Sequence, residues 1–507
     1  MFSFVFHDKD SLEWIAARDR FGIKPLYYTS TKTELMFGSE IKALLEHPAI
    51  NPEMCRQGLQ EYLTFQFCLN NQTLFKDIKK IMPGEVLLGR GSKIEKAYKY
   101  FTVAYDIDES HEQSWFQNTL YEVLADSVNI QLRSDVPLGC YLSGGIDSSI
   151  IAALAQKHFK EPLSMFHGKF DEGPEFDESH YALEVTKHIG SNLDTVTPTE
   201  NDFVNLMPKL IRALDEPIAG PGVFPQFLTS QLAANKVKVV LGGQGGDEIF
   251  GGYARYLVGY LEQALKGSIM GTNEEGKHLV SLESIVPNLS LLKQYTPLIK
   301  QFWSNGLFED MDIRYFNLID RGQRISQILH KDLLNNFSNE SLLTDFRDIF
   351  NSTKTDSYIN KMTAFDQKTL LPALLQVEDR VSMSCSLEAR VPFLDHRIIE
   401  LTASIPPVLK FQGGKTKHLL KTISSDLLPK KILDRKDKMG FPVPLAKWME
   451  GGIVKEFVAD TLVSERSLNR GIFERNSIHK LVNEPVTNER KLWGALNIEL
   501  WATKFID

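Results

Sequence analysis

The sequence predicts an α/β protein in which an N-terminal β-rich part precedes a doubly wound parallel sheet and a mostly helical C-terminal part. Three observations lead to this prediction. Short strands and turns fill residues 1–105, apolar strands alternate with helical patterns from about 136 to 255, and helical periodicity prevails after that. Strands that alternate with helices are typical of right-handed βαβ units, whose parallel strands hold ligands beyond their carboxyl ends.

The N-terminal part opens with MFSFVFHD, in which Phe2, Phe4 and Phe6 recur at every second position. This period of two predicts a half-buried strand. The polar stretch at 102–113 is a predicted linker. Turn residues and alternation predict further strands within 12–19 and 34–40 and two within 81–101, and a hairpin-like stretch broken by Pro25 at 21–29.

The alternating part begins with a predicted helix over 113–132, in which Phe116, Leu120, Val123, Leu124 and Val128 share one face. Apolar runs and helical spacing then predict strands at 136–143, 163–170 and 237–243, and helices at 148–158, 177–190 and 224–235.

Composition narrows the class of protein. The chain has 507 residues, of which 43% are hydrophobic and 24% charged, and its net charge of −8 disfavours nucleic-acid or membrane-surface partners. No apolar run approaches the roughly 20 residues of a membrane span. The first residues lack the basic-then-apolar pattern of a secretory signal, and the cysteines form no CxxC pair, so we expect reduced thiols, no zinc site and a cytoplasmic location. The four cysteines are Cys55, Cys68, Cys140 and Cys385.

The strongest motif is LSGGIDSS, which spans 142–149 between a predicted strand and a predicted helix. Its glycines let the backbone approach an anion, its serines supply hydroxyl donors, and the helix N-terminus adds partial positive charge. Asp147 would repel a phosphate unless it held Mg²⁺ against it. The pattern differs from the P-loop and matches the pyrophosphate loop of enzymes that cut ATP between its α and β phosphates. A serine-rich helix cap is the plainer alternative.

A second glycine loop, LGGQGGDEIFGGYARY, spans 241–256 and follows the strand at 237–243. It should therefore lie at the same edge of the sheet. Asp247 and Glu248 are candidates for binding Mg²⁺ or an amino group, and Tyr253 for closing over a small substrate. An ordinary turn after a buried strand is the alternative.

Charged residues also punctuate an apolar stretch at 371–396. Buried charges need partners, so we expect some structural ion pairs there, with Glu388 and Arg390 as the first candidates and Arg380 less so. Further along, Lys438 precedes a Met-Gly-Phe-Pro turn, where it is better placed to reach a site than the lysines around it.

Taken together these motifs resemble those of the glutamine-dependent asparagine synthetases. The order SGGIDSS, GGQGGDEIFGGY, SMSCSLEARVPFLD and RKDKMGFPVP matches the family, and AARDRFGIKPLYY and FGSEIKALL resemble the later part of its glutaminase domain. The resemblance implies a partial type 2 glutamine amidotransferase domain of the N-terminal-nucleophile fold, without its nucleophile, over 1–105 and an ATP-pyrophosphatase synthetase domain over 106–507. It also implies activation of the aspartate side chain by ATP and Mg²⁺ to β-aspartyl-AMP, attack by ammonia, and a homodimer.

The resemblance also implies roles for individual residues. Lys438 would stabilise charge that develops on phosphorus, and Tyr253 and Arg380 would face the acid substrate. Asp147 and Asp247 would hold Mg²⁺. Gln244, Asp247 and Glu248 occupy positions tied to the chemistry. The pyrophosphate and adenylate would lie against Leu142, Ser143, Gly144, Gly145, Asp147, Ser148, Ser149, Gly168, Gly242 and Gly243.

Two departures from the family pattern bear on function. The family usually has an acidic residue where this chain has Gln244, and an amide cannot accept a proton as a carboxylate does. The family's nucleophile is a cysteine at the first position, whereas the first cysteine here is Cys55. We therefore expect residues 1–105 to lack the catalytic half of a glutaminase, through either a misplaced start or split gene, or a partner that supplies the missing strands.

The leading hypothesis is an asparagine synthetase-type ligase that uses free ammonia or ammonia from a separate glutaminase chain. A ligase that amidates a sugar acid or another carboxylate is a second hypothesis, which Gln244 favours. A non-catalytic paralogue or subunit is a third, and the intact loop motifs argue against it.

Overall fold

The computed structural model describes residues 1–218, 220–271, 296–410, 415–435, 442–484 and 489–507. Among the described residues, none of the helices has the length and apolar character of a membrane span. The strands, numbered β1 to β12, are Ser3–His7, Glu13–Arg18, Tyr27–Ser30, Leu35–Gly38, Lys79–Lys80, Glu85–Arg90, Lys93–Lys99, Leu138–Tyr141, Ser164–Gly168, Asn192–Val196, Val239–Leu241 and Glu388–Arg390.

The helices are numbered α1 to α25 over the same residues. Three short 3₁₀ helices, Pro174–Phe176, Ser326–Ile328 and Pro392–Leu394, complete the set. The α-helices are Ile41–Leu45, Arg56–Phe65, Gln113–Gln131, Ile146–Gln156, Ser179–Ile189, Glu200–Leu214, Val223–Ala234, Gly246–Phe250, Ala254–Met270, Thr296–Trp303, Met311–Ile319, Gly322–Ile325, Lys331–Asn335, Asn339–Asn351, Tyr358–Lys368, Leu370–Ser384, His396–Ser404, Pro407–Lys410, His418–Ile423, Lys430–Leu433, Leu445–Trp448, Gly452–Leu462, Glu465–Asn469, Arg475–Asn483 and Glu489–Phe505.

Two antiparallel sheets form the N-terminal part, with strand orders β1-β2-β6-β7 and β4-β3-β5. They face each other across a small core that includes Trp14, Ala16, Leu26 and Leu87. The strands predicted within 12–19, 34–40 and 81–101 are confirmed, whereas the hairpin-like stretch at 21–29 contributes only the beginning of β3. The helices α1 and α2 were missed, although Leu59, Tyr62 and Leu63 recur at helical spacing and are buried.

The prediction that MFSFVFHD forms a half-buried strand is wrong in one respect. The strand exists as β1 and pairs with β2, but both of its faces meet solvent, with Val5 40% and Phe6 66% exposed. Phe4 and Phe6 lie on the face of the sheet opposite to Trp14, and Tyr98 on β7 is also exposed there. Alternation indicates a strand, but it does not establish that a neighbour covers either face.

The parallel sheet has the strand order β10-β9-β8-β11-β12 and every pairing in it is parallel. Val239 and Leu241 pack towards α3 and α4 on one face, and Val240 packs towards α7 on the other. The predicted doubly wound α/β arrangement is therefore confirmed. The chain leaves β8 towards β9 on one side and returns to β11 on the other, so the strand order reverses between β8 and β11, which is where ligands bind in such sheets.

The edge strand β12 confirms another prediction, because Arg390 donates to Glu388 over 2.7 Å. Its backbone matters as well, since the Arg390 carbonyl accepts from the Gly242 amide at 2.8 Å. The C-terminal helices join the two parts of the chain in one core, where Phe75 packs edge-on against Trp501 with ring centroids 5.1 Å apart.

Candidate functional site

The two predicted glycine loops lie side by side at the carboxyl edge of β8 and β11. A Cβ atom at Gly243 would lie 2.7 Å from the Ser148 backbone nitrogen and 2.9 Å from the Asp147 carbonyl carbon. No larger residue could stand there without moving the neighbouring loop. Glycine at this position therefore permits the contact that brings the two motifs into one site.

The first loop is folded by its own serines. The backbone N–H of Ser143 donates to the Ser148 hydroxyl at 3.1 Å, and that hydroxyl donates to the Gly145 carbonyl at 3.2 Å. Gly144 has a φ of +70°, which glycine adopts without strain. Helix α4 starts directly after Gly145 with no side-chain cap at its N-terminus. The amide groups of its first turn are thus available to an anion.

The same loop contains a buried hydroxyl that fits a phosphate ligand. The Ser149 Oγ atom makes no hydrogen bond within the described part of the chain, although the residue is fully buried. A buried hydroxyl without a partner is uncommon in folded proteins. The loop, the helix N-terminus and this hydroxyl together suit a bound pyrophosphate group.

A lysine that the sequence analysis missed lies between the two loops. The Lys417 Nζ atom lies 2.5 Å from Asp147 Oδ2 and 2.6 Å from Asp247 Oδ1, and the residue is only 5% exposed. Its φ of +55° lies in the left-handed region, which costs a non-glycine residue about 1–2 kcal/mol. Two carboxylates that converge on one cation are also a suitable donor set for Mg²⁺, which typically takes one or two carboxylates plus phosphate oxygens.

Glu248 and Tyr253 form a buried pair beside this ion-pair cluster. The Tyr253 hydroxyl donates to Glu248, whose side chain is almost wholly removed from solvent. Burial, followed by the negative charge of Asp247, raises the pKa of Glu248 to about 7. Arg255 covers the Tyr253 ring at 3.8 Å and pairs with Asp366 at 2.5 Å, which fixes the ring.

Gln244 lies on the other side of the second loop, where it contacts α16. Its side-chain amide donates to Glu378 over 3.3 Å, and the amide of Gln226 on α7 donates to the same carboxylate oxygen. Burial raises the pKa of Glu378 to about 7, against the lowering effect of these two hydrogen bonds. In the sequence, Glu378 is one of several charged residues in the apolar stretch at 371–396, and nothing there distinguishes it from the others.

The residues expected to line the adenylate lie along the same edge. The Leu142 amide donates to the Phe166 carbonyl at 2.9 Å, Gly168 is the last residue of β9, and Gly242 begins the loop after β11. The structure thus brings the predicted loop, adenylate and metal residues together.

One described residue with a predicted role, Arg380, is not in this group. Arg380 donates to the Ser39 carbonyl, lies 3.3 Å from Glu40 and 3.6 Å from Asp215, and so contacts the N-terminal part of the chain. Its role towards an acid substrate stays a prediction. Lys438 lies outside the described residues.

Arg435 is a second cation at the site that was not predicted from the sequence. Its guanidinium group donates to the Gly144 carbonyl at 3.1 Å. Both missed cations lie in lysine- and arginine-rich stretches, which usually form solvated surfaces. The segment KTKHLLK (415–421) has three lysines within seven residues, and nothing in this pattern distinguishes Lys417 as the one that contacts the site.

A cavity of about 440 Å³ opens beyond Tyr253, between α2, the α11–α12 segment and the C-terminal helix α25. Arg255, Arg321 and Arg490 line it, together with Asp366. Burial, followed by the nearby positive charges of Arg490 and Arg255, lowers the pKa of Arg321 to about 9. A site with crowded guanidinium groups is suited to an anionic ligand.

Comparison with known families and proteins agrees with this architecture. The family model described as asparagine synthase matches residues 119–503, and the one described as glutamine amidotransferase domain matches residues 1–101. Asparagine synthetase [glutamine-hydrolyzing] 1 of Bacillus subtilis is 32% identical over 99% of this chain and 77% of its own length. A putative asparagine synthetase [glutamine-hydrolyzing] of Mycobacterium tuberculosis is 28% identical over 100% of this chain and 77% of its own length. Amidase chry2 of Gibberella zeae is 26% identical over 90% of this chain and 71% of its own length.

A parallel sheet that presents a pyrophosphate loop, opposed carboxylates and a glutamine amidotransferase module defines an ATP-dependent carbon–nitrogen ligase of the amidotransferase type. The chain belongs to the asparagine synthase family.

Proposed function

We propose that this ligase adenylates the side-chain carboxylate of aspartate and transfers ammonia to the β-aspartyl-AMP, giving asparagine, AMP and pyrophosphate. Residues 143–149 bind the pyrophosphate portion of ATP, and Asp147 and Asp247 hold Mg²⁺. When bound, Mg²⁺ neutralises charge on the phosphates. Leu142, Gly168, Gly242 and Gly243 border the adenylate, and Tyr253 closes over the acid.

The cations around the loop act by position and charge. Lys417 neutralises both metal-binding carboxylates before ATP arrives, and it is close enough to pair with phosphate oxygens once they enter. Lys438 is the second cation in this proposal, with the role of stabilising the charge that develops at the α-phosphorus.

The observation that carries the proposal is the convergence of the SGGIDSS and GGQGGDE loops at the point where the strand order reverses. The test measures pyrophosphate release from ATP and Mg²⁺ with aspartate and ammonium. We expect asparagine and pyrophosphate in equal amounts. Absence of pyrophosphate with aspartate, but release with another acid, would move the substrate away from aspartate.

We further propose that these 507 residues have no glutaminase activity of their own, so that ammonia comes from solution or from a separate glutaminase chain. The cysteines support this. Burial raises the pKa of Cys68 and Cys140, the latter to about 12, and also raises that of Cys385. Cys55 accepts from the Gly58 amide at 3.4 Å as a helix cap. Raised thiol pKa values oppose nucleophilic catalysis. Turnover with glutamine at the ammonium rate would contradict the proposal.

The division at 105/106 is the domain boundary that we propose. The antiparallel sheets end at Lys99, and α3 of the α/β part starts at Gln113. The two family models, matched at 1–101 and 119–503, support the same division.

A second candidate function is amidation of an acid larger than aspartate, such as a sugar acid. The cavity of about 440 Å³ beyond Tyr253 favours it, because aspartate alone would leave much of that volume unfilled. Arg255 and Arg321 would meet additional anionic groups. A panel of carboxylates in the pyrophosphate-release assay distinguishes the two candidates. The second requires a larger acid to give a higher kcat/KM than aspartate.

A further inference from the structure

Glu378 is a buried carboxyl group that the proposed adenylation machinery does not use. It lies in the middle of α16 and is 4% exposed. Its Oε1 atom lies 3.9 Å from the position that a Cβ atom would take on Gly242, at the start of the second glycine loop. The carboxyl group therefore borders the backbone that we assign to the adenylate.

The two oxygens of Glu378 have different surroundings. Oε2 accepts hydrogen bonds from the side-chain amides of Gln244 and Gln226, which hold the group in one orientation. Oε1 accepts none from the residues that the structure describes. A buried acceptor without a hydrogen bond lowers the stability of the folded protein, because its lost contact with water is not replaced. This oriented oxygen is therefore available to a ligand that enters the loop.

Among the described residues, the charge interaction of Glu378 with Asp379 does not stabilise its ionised form. Asp379, the next residue of α16, raises the pKa of Glu378 by repulsion and is itself paired with Lys24 at 2.7 Å. Within the part of the chain that the structure describes, Tyr141 on β8 is a further titratable group that interacts with it, and α7 faces it with the neutral amide of Gln226. Burial is the largest cause of the shift, and the resulting pKa of about 7 suits a group that exchanges protons near neutral pH.

Gln244 explains why this carboxyl group matters. Position 244 carries an amide, which cannot accept a proton, but that amide donates a hydrogen bond to Glu378. The loop thus has a carboxylate within hydrogen-bond distance of position 244, supplied by a residue 134 positions further along the chain.

We propose that Glu378 is the general base of the ammonia-transfer step, an inference that rests on the proposed ligase function. The nitrogen of ammonia forms a bond to the acyl carbon of the adenylate, and the bond from that carbon to the AMP oxygen breaks. AMP leaves with the electron pair of that bond. The proton that nitrogen loses passes to the Glu378 carboxylate, which releases it to solvent before the next turnover.

The test uses the full chain and separates the two half-reactions. ATP–pyrophosphate exchange that depends on aspartate reports adenylation, and asparagine formed from ammonium reports the transfer. In Glu378→Gln we expect exchange within about threefold of wild type and amide formation lower by about 10²- to 10⁴-fold. Amide formation by the wild type, at a fixed concentration of unprotonated ammonia, should rise with pH through about 7, and this rise should be absent in the variant.

Two further variants give the matched comparisons. Glu61→Gln makes the same change in a buried carboxyl of α2 whose pKa burial also raises to about 7. Because Glu61, among the described residues, does not line the cavity beyond Tyr253 or contact either glycine loop, both rates should stay at the wild-type level. The double variant Gln244→Glu/Glu378→Gln returns a carboxylate to the same hydrogen-bonded pair. Its rate of amide formation should be at least tenfold higher than that of Glu378→Gln.

The outcomes separate the two proposals. Normal exchange with unchanged amide formation in Glu378→Gln would overturn the role of Glu378 alone. An equal loss of both half-reactions would also overturn it, because that result indicates a structural role. Exchange that is absent from the wild type with every carboxylate in the panel would overturn the ligase function itself, and this inference with it.

Discussion

The ammonium group of Lys417 lies 2.5 Å from the carboxylate of Asp147, although the two residues are 270 positions apart in the sequence. The same ammonium group contacts Asp247, so one cation balances two carboxylates from two loops. Lys417 therefore supplies part of the positive charge that these two carboxylates require.

Replacing Lys417 by methionine should destabilise the protein strongly. The substitution removes the cation that Asp147 and Asp247 share, and Asp147 is buried. Breaking a buried ion pair typically costs about 3–5 kcal/mol of stability. Added Mg²⁺ should recover part of this loss. Urea unfolding with and without Mg²⁺ measures both effects. Lys169→Met is the control, because its pair with Asp171 is exposed and should contribute less than about 1 kcal/mol. Equal losses in the two variants would contradict the prediction.

Substitution of Gly144 by alanine should lower both stability and ATP affinity. The new Cβ atom would lie 2.5 Å from the Cβ atom of Tyr181, and the loop would have to move. Gly190→Ala is a matched control, since its φ of +71° equals that of Gly144 within a degree and nothing lies within 4 Å. The control should lose only about 1 kcal/mol from the left-handed backbone. Thermal unfolding and ATP titration measure the difference, and similar losses in both variants would rule out crowding as the cause.

The carboxyl of Glu61 should make stability depend on pH. Burial raises its pKa from the ordinary value of 4.5 to about 7 in the folded protein, which therefore favours the protonated form. Its contribution is fully present below about pH 4.5 and is lost as the pH rises through 7. Glu61→Gln should gain up to about 3 kcal/mol over wild type between pH 4.5 and pH 8. Denaturant unfolding at pH 4.5 and pH 8 measures the free energy of unfolding of both proteins. A difference between variant and wild type that is the same at the two pH values would contradict the prediction.

The two faces of the N-terminal sheet should respond differently to truncation. Trp14 packs edge-on against Phe37 with ring centroids 5.2 Å apart, whereas Phe6 is exposed on the opposite face. Trp14→Ala should cost about 3–5 kcal/mol, and Phe6→Ser less than about 0.5 kcal/mol. The midpoint of chemical unfolding compares them. A large loss in Phe6→Ser would show that its ring is covered in solution.

Features that depend on neighbouring residues could be predicted from the sequence. LSGGIDSS shows its strand, turn and helix within a few positions, and β8 and α4 form where the pattern indicates. Alternating apolar runs likewise predicted the parallel sheet. The exposure of β1 could not be predicted, because it depends on what lies beside the strand and not on its own residues.

Contacts between distant residues account for what the sequence analysis missed. Lys417 and Glu378 each resemble other charged residues in their stretches, and only the fold brings them to Asp147 and Gln244. Arg380 shows the reverse case, since the resemblance gives it a role towards the acid substrate, whereas its side chain turns towards Ser39.

Three successive residues of α16 face different partners. Glu378 faces the glycine loop, while Asp379 pairs with Lys24, and Arg380 contacts Glu40 at 3.3 Å. The N-terminal 105 residues and the remainder are therefore not interchangeable modules. A chimaera that takes its N-terminal part from a relative would need compatible groups at positions 24 and 40, because a rotation of α16 that restores those pairs would also turn the carboxyl group of residue 378 away from the loop.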